Sequence, residues 1–282
     1  MKNHLRIIPF LEIKNNLLVK GINFEGLRAL GKPEVFSNLY KDYGADEILL
    51  YDVTASLYGL EPNYSVINKV ANRVNIPVTY TGGINSLDKI KKILRAGANK
   101  VSLNSYNFEN INFVDKAINY FGSSTIAVNL QVRKFKRKFY CLYNSGRDMT
   151  KYELNKLIKI FSLKNVGEII ITDIASEGTA KGLNRELINY IRISKNIPII
   201  LHGGYNGEII KSKKNFLFSG IALSSLLHYN YINLVDDPEI SQKNVGNFDY
   251  INNLNKKVSF NKDIGIQSIK KKLSKYFEIR RI

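Results

Sequence analysis

Glu168 to Thr179 reads EIIITDIASEGT, and the chain has already written a version of it at Glu47 to Ser56, EILLYDVTAS. Both open on an acidic residue, continue through an apolar run, and end on Asp, a β-branched residue and a small-residue turn. The two lie 121 residues apart. Three more pairs keep the step. Ile76 to Ile84 (IPVTYTGGI) returns as Ile197 to Tyr205 (IPIILHGGY), again at 121. Lys100 to Ser105 (KVSLNS) returns as Gly220 to Ser225 (GIALSS) at 120, and Leu11 to Lys14 (LEIK) returns as Leu130 to Arg133 (LQVR) at 119. Four pairs in one order with nearly constant spacing mark a repeated unit.

The runs at Glu47 to Tyr51 and Glu168 to Thr172 do not alternate, as expected of strands buried on both faces of a parallel sheet. Helical spacing follows them, as in Leu87, Ile90, Ile93 and Leu94 on one side of Leu87 to Ala96. The chain is therefore expected to be α/β: a single (β/α)8 TIM barrel built from two duplicated (β/α)4 halves, 1–120 and 121–233. An insertion over 234–262 precedes a C-terminal helix and basic tail, 263–282. An open doubly wound sheet is the alternative, and the four-plus-four repeat favours the barrel.

Element by element, strand one is expected over Leu5 to Ile13, a polar loop over Asn15 to Glu25, and helices over Pro33 to Tyr43 and Pro62 to Val74. Strands follow at Val78 to Tyr80 and Lys100 to Leu103. In the second half the expected strands are Ile126 to Val132, Glu168 to Thr172, Pro198 to Leu201 and Phe216 to Leu223. The expected helices are Lys151 to Leu163, Arg185 to Ser194, a short one near Gly207 to Lys213, and Ile266 to Tyr276. Lys134 to Arg147 alternates and is expected to form a hairpin.

At 282 residues and 44% hydrophobic the chain has enough apolar surface for a large core. No apolar run reaches the roughly 18–20 residues that span a bilayer, and the start lacks a signal-peptide layout, so the cytosol is the expected location. A single cysteine, Cys141, leaves no internal disulfide framework or CxxC metal site, and no metal or cofactor is expected. The net charge of +18 invites a nucleic-acid reading. The charge is spread along helix faces and concentrated only in the tail, which fits an acidic protein partner or a phosphorylated substrate better.

In a barrel of this kind chemistry sits where strands run into their following loops. Those ends carry Glu12, Asp52, Gly82-Gly83, Asn104-Ser105, Gln131, Asp173, Gly203-Gly204 and Ser224-Ser225. Glycines admit backbone N–H groups close to an anion, and hydroxyls complete the cradle. Two matched cradles on opposite sides of one mouth suit a small substrate with a phosphate at each end.

These residues carry a resemblance over nearly the whole chain to the cyclase subunit of imidazole glycerol phosphate synthase. It rests on RIIPFLEIKNNLLVKGINFEGLR, EILLYDVTAS, TGGI, GANKVSLNS, GEIIITDIASEGTAKG and the GG and SS ends. The resemblance implies a heterodimer with a glutaminase subunit docked on the barrel bottom, and ammonia passing through the barrel to a bis-phosphorylated substrate. It implies an acid/base pair of two Asp at the ends of strands one and five. Here those positions are Glu12 and Gln131, and an amide moves no proton near neutral pH. The ammonia gate of the family maps to Arg6, Glu47, Lys100 and Glu168, all charged here. Lys20 maps to a substrate-contacting loop lysine, and Ser145, Thr172 and Gly178 also match. Glu177 stands where the family has Asp, and His202 where it has a small polar residue. His4 and His228 read as structural.

A kept conduit with an altered acid/base pair resembles the cyclase-like barrels that supply ammonia in surface-sugar biosynthesis, where a sugar amidotransferase builds an acetamidino group. That is the expected role. A histidine-pathway cyclase with an unusual pair is the first alternative, and a non-catalytic scaffold or basic binding module the second.

Overall fold

The computed structural model describes residues 4–192, 197–208, 218–235 and 264–279. Eight parallel strands close on themselves: β1 (Arg6–Lys14), β4 (Ile48–Asp52), β5 (Val78–Thr81), β6 (Lys100–Leu103), β7 (Ile126–Phe135), β10 (Glu168–Asp173), β11 (Ile199–His202) and β12 (Gly220–Leu223). Each pairs with the next, β12 returns to β1 through Arg6 opposite Gly220, and β7 joins β10 through Gln131 opposite Thr172. The sheet has no open edge among these staves, so the expected (β/α)8 barrel is the fold and the open sheet is not.

The apolar runs are continuous because each stave faces two cores. On β1, Ile7, Leu11 and Ile13 join the outer core under the helices. Ile8 and Phe10 join Leu49, Tyr51, Ile170, Ile200 and Ala222 in a second cluster inside the barrel. Successive side chains on a strand point to opposite faces, so both sets must be apolar. The outer layer is built by α1 (Pro33–Asp42), α2 (Tyr64–Ala71), α3 (Leu87–Arg95), α4 (Ser105–Glu109), α5 (Asn112–Phe121), α6 (Leu154–Leu163), α7 (Arg185–Tyr190), α8 (Ser225–Tyr231) and α9 (Ile266–Leu273). The helix α3 starts at Ser86, whose hydroxyl accepts from the Lys89 N–H, and α2 at Asn63, which accepts from Val66.

Three expectations change. The polar loop over Asn15 to Glu25 is an antiparallel hairpin, β2 (Leu17–Ile22) and β3 (Glu25–Gly31), folded onto β1. Its turn residues Asn23 and Phe24 both have positive φ, and Phe24 is buried, which a polar-loop reading does not foresee. The hairpin after the fifth stave gains a third strand: β8 (Lys138–Tyr143) is followed by β9 (Asp148–Glu153), so helix α6 begins three residues later than expected. Helices α5 and α8, which the sequence reading did not assign, complete their staves. The helix expected near Gly207 to Lys213 and the 234–262 insertion fall almost wholly outside the described residues, as do the ends of the helix expected to reach Ser194, the strand expected from Phe216, and the basic tail.

Candidate active site

Alternation along the staves assigns the barrel interior. On β5, β6 and β7 the inward positions are Thr79 and Thr81, Lys100 and Ser102, and Asn129 and Gln131, while their outward neighbours Val78, Tyr80, Val101, Leu103, Val128 and Leu130 belong to the outer core. The interior therefore has an apolar wall on one side and a polar stripe on the other.

At the bottom a ring closes. Arg6 Nη1 donates to Glu47 Oε2 and Nη2 to Glu168 Oε2, both at 2.8 Å. Lys100 Nζ lies 2.8 Å from Glu47 Oε1 and 2.7 Å from Glu168 Oε1. Thr79 Oγ1 adds a bond to Glu47 at 2.6 Å. Burial raises the Glu168 carboxyl, yet Lys100 and Arg6 outweigh it and hold its pKa below the usual value. The four residues expected as a gate thus form one alternating ring of charge.

At the mouth a second charged cluster is sealed from solvent. Lys20 reaches in from β2 and donates to Glu12 Oε1 at 3.1 Å and to Glu177. Glu177 Oε2 accepts from the Phe24 N–H at 3.2 Å, and its backbone carbonyl accepts from Asn23 at 3.0 Å. Ser224 Oγ donates to Glu177 at 3.3 Å. Phe24 closes the cluster from above and Phe10 stacks on His202 with ring centroids 3.9 Å apart. Burial is the main cause of an upward shift of Glu12 to about 8; Glu177 adds to it and Lys20 opposes it. Burial and the Lys20 charge push the His202 imidazole well below its ordinary range. Glu12, Glu177 and His202 each bring a ligand-capable atom within 4.8 Å of the others.

Gln131 sits apart from that cluster. Its Nε2 donates to Tyr51 Oη at 2.9 Å, Tyr51 Oη meets Ser145 Oγ at 2.7 Å, and Ser145 Oγ donates to the Val53 carbonyl at 2.8 Å. Burial raises the Tyr51 phenol to about 12, so this chain is neutral throughout. Thr172 bonds Asn129 at 3.1 Å and approaches His202 Nδ1 at 3.4 Å.

The two cradles share a backbone geometry. Gly82 and Gly203 have φ of +122° and +114°, and a Cβ on either would sit 2.7 or 2.6 Å from the carbonyl oxygen of Asp52 or Asp173. Asn104 and Ser224, which precede α4 and α8, have φ/ψ of −130°/−95° and −119°/−90°. The first cradle opens into a cavity lined by Ser56, Gly83, Lys89, Ser105 and Asn144. In the second, the Gly182 N–H donates to the Gly204 carbonyl at 2.7 Å. Asp52, expected as a substrate contact, spends Oδ1 on Thr54 and Ala55. It holds the turn after β4, as Asp173 does for the turn after β10 through Ala175, Ser176 and Asn184.

Residues 6–233 match the family described as histidine biosynthesis protein. The chain belongs to that family. It is 36% identical to imidazole glycerol phosphate synthase subunit HisF of Lactococcus lactis subsp. lactis (strain IL1403) over 228 residues, 79% of this chain and 88% of the relative. It is 35% identical to the subunit of the same name from Bacillus cereus (strain AH187) over 234 residues, 82% of this chain and 93% of the relative.

In this HisF-like barrel, several site neighbours escape sequence reading. Tyr51 lies inside an apolar run and shows no polar signature there. Ser56, whose Oγ accepts from the Gly83 N–H at 3.0 Å, and Lys89, which donates to the Gly83 carbonyl at 3.3 Å, come from outside the glycine motif. Asn144, beside the expected Ser145, was missed; the two adopt successive positive φ, and the NSG triplet was the available signal. His228, read as structural, is buried and held by the Phe10 carbonyl and Tyr40 Oη, with Nε2 3.9 Å from Glu12 Oε2. His4 is exposed and faces Glu278. Among the described residues no helix is long and apolar enough to cross a membrane.

Proposed function

We propose that this HisF-like barrel receives ammonia from a glutaminase subunit docked at its bottom and delivers it at the mouth. The observation that carries the reading is the Arg6–Glu47–Lys100–Glu168 ring, which lies across the inner bottom of the barrel. Above it, Thr81 Oγ1, Ser102 Oγ, Asn129 Nδ2 and Gln131 Oε1 are buried without a protein partner. Buried polar atoms need hydrogen bonds, and a file of small donor–acceptor molecules supplies them. Ammonia fits that stripe, and the ionic ring opposes free passage of ammonium.

At the mouth the chemistry has moved away from the relatives' cyclisation. Gln131 offers no titrating group, and Lys20 occupies Glu12. In this reading the barrel serves an acceptor amidinated by a separate sugar amidotransferase, with a surface sugar as the acceptor class. The cradles bind phosphate of an acceptor or effector. A specific observation favours a second reading, a true cyclase: Glu12 keeps a pKa near 8 beside the cradles, suited to proton transfer near neutral pH.

The test is coupling in the complex with glutaminase. Lys100→Met and Arg6→Ala are expected to leave glutamine hydrolysis running while nitrogen transfer to the acceptor falls, and Gln131→Ala is expected to change neither. Gate variants that transfer as well as wild type would sink the conduit.

A further inference from the structure

We infer that Glu12, Glu177 and His202 form a binding site for a divalent transition-metal ion, in which the metal exchanges with the Lys20 ammonium. Three ligand-bearing side chains far apart in the sequence converge here, all of them buried. They come from the ends of β1 and β11 and the loop after β10. Their candidate atoms lie within 4.8 Å of one another. Ligand atoms around a metal at about 2.0–2.2 Å sit roughly 3.4 Å apart, so small rotations about existing side-chain bonds complete the set. Two carboxylates with one imidazole suit Zn²⁺, Mn²⁺, Fe²⁺ or Co²⁺.

Two further observations point to a cation. The site already holds one, since Lys20 Nζ bonds both Glu12 and Glu177 with all three side chains fully buried. Glu12 Oε2, also fully buried, has no hydrogen-bond partner, which leaves ligand capacity unused.

Exchange is mechanically open to this fold. Lys20 belongs to the β2–β3 hairpin, whose strand pairing to the barrel is three register pairs, Glu12 with Val19, Ile13 with Leu18 and Lys14 with Leu17, and whose turn is tied to the loop after β10 by the Asn23 and Phe24 N–H groups on Glu177. The partner strand β3 pairs with β2 alone. The hairpin can therefore withdraw Lys20 without breaking a stave-to-stave pairing. Metal and closed hairpin become alternatives.

The test uses Co²⁺ as the probe on the full chain, followed by its visible absorption. Lys20→Met is expected to bind one Co²⁺ per chain at least tenfold more tightly than wild type, because the competing ammonium is gone. His202→Ala in that background is expected to abolish the bands. No stoichiometric binding by Lys20→Met, equal affinity in wild type, or binding that survives loss of His202 would each overturn the site. If Lys20→Met does not fold, wild type at saturating Co²⁺ decides: binding at one site lost in His202→Ala supports the inference, and its absence overturns it. This result is independent of the ammonia reading, since the probe reports nothing about the ring at the barrel bottom.

Discussion

Lys20 Nζ stands 3.1 Å from Glu12 Oε1 in a pocket closed to solvent, so the loop lysine and the strand-one carboxylate are locked together. Where the resemblance implies a pair of aspartates, this chain has one carboxylate under a lysine and an amide tied to a tyrosine. Pairing a buried charge and then removing its partner is costly, typically about 3–5 kcal/mol. That cost makes the arrangement testable.

Stability should peak near pH 6.5. Glu12 is raised from 4.5 to about 8, so between those values the folded state holds a proton that the unfolded chain releases. His202 and His228 are lowered, the latter to about 3, so below about 6.5 the unfolded chain takes up two protons that the folded state refuses. Each unmatched proton tilts stability by about 1.4 kcal/mol per pH unit. From pH 6.5 to 8 the Glu12 contribution alone lowers stability by about 2 kcal/mol. From 6.5 down to 5 the two imidazoles outweigh Glu12 by one proton, with a loss of similar size. Glu12→Gln should flatten the alkaline limb and steepen the acid one in urea unfolding. An unchanged alkaline limb would show that Glu12 is not held protonated.

Lys100→Met should destabilise the chain by roughly 3 kcal/mol, because Glu47 and Glu168 would then share Arg6 alone. Glu168→Gln in that background should recover part of the loss by removing one of the two acids. A urea midpoint shift below about 0.5 kcal/mol for the single variant would mean that the ring is solvated in solution.

Gly82→Ala and Gly203→Ala should carry similar penalties, each about 1–3 kcal/mol, since each would press a Cβ against an Asp carbonyl at positive φ. Gly59→Ala is the control, with positive φ and nothing within 4 Å. Its smaller loss should reflect backbone conformation alone. Equal losses at all three glycines would remove the close-approach explanation for the cradles.

The fold was legible because parallel staves buried on both faces leave unbroken apolar runs, and the spacing of EILLYD and EIIITD repeated them. The charged ring at the barrel bottom was legible as four charged residues at the starts of staves, positions where an apolar run gives no reason for charge. The hairpin carrying Lys20 was not. Asn15, Asn16 and Asn23 look like a polar loop, and only tertiary contact with Glu177 and the buried Phe24 turns that stretch into strands. The convergence of Glu12, Glu177 and His202 was equally hidden, since 190 residues separate the first and last. Barrel closure alone brings them together. The tie between Gln131 and Tyr51 was hidden too, because Tyr51 reads as core.

In the proposed reading the mouth no longer performs the cyclisation that the resemblance implies, while ammonia still passes through the barrel. The measurement that meets it head-on is turnover of the cyclase's bis-phosphorylated substrate by the purified chain with excess ammonium at alkaline pH. Glu12→Asp, Gln131→Asp and the double variant would run alongside it. The expected result is no steady turnover by wild type, with the first detectable activity in the double variant. Steady wild-type turnover, lost in Glu12→Ala, would contradict the claim and make this chain a working cyclase with Gln131 in an acid's place.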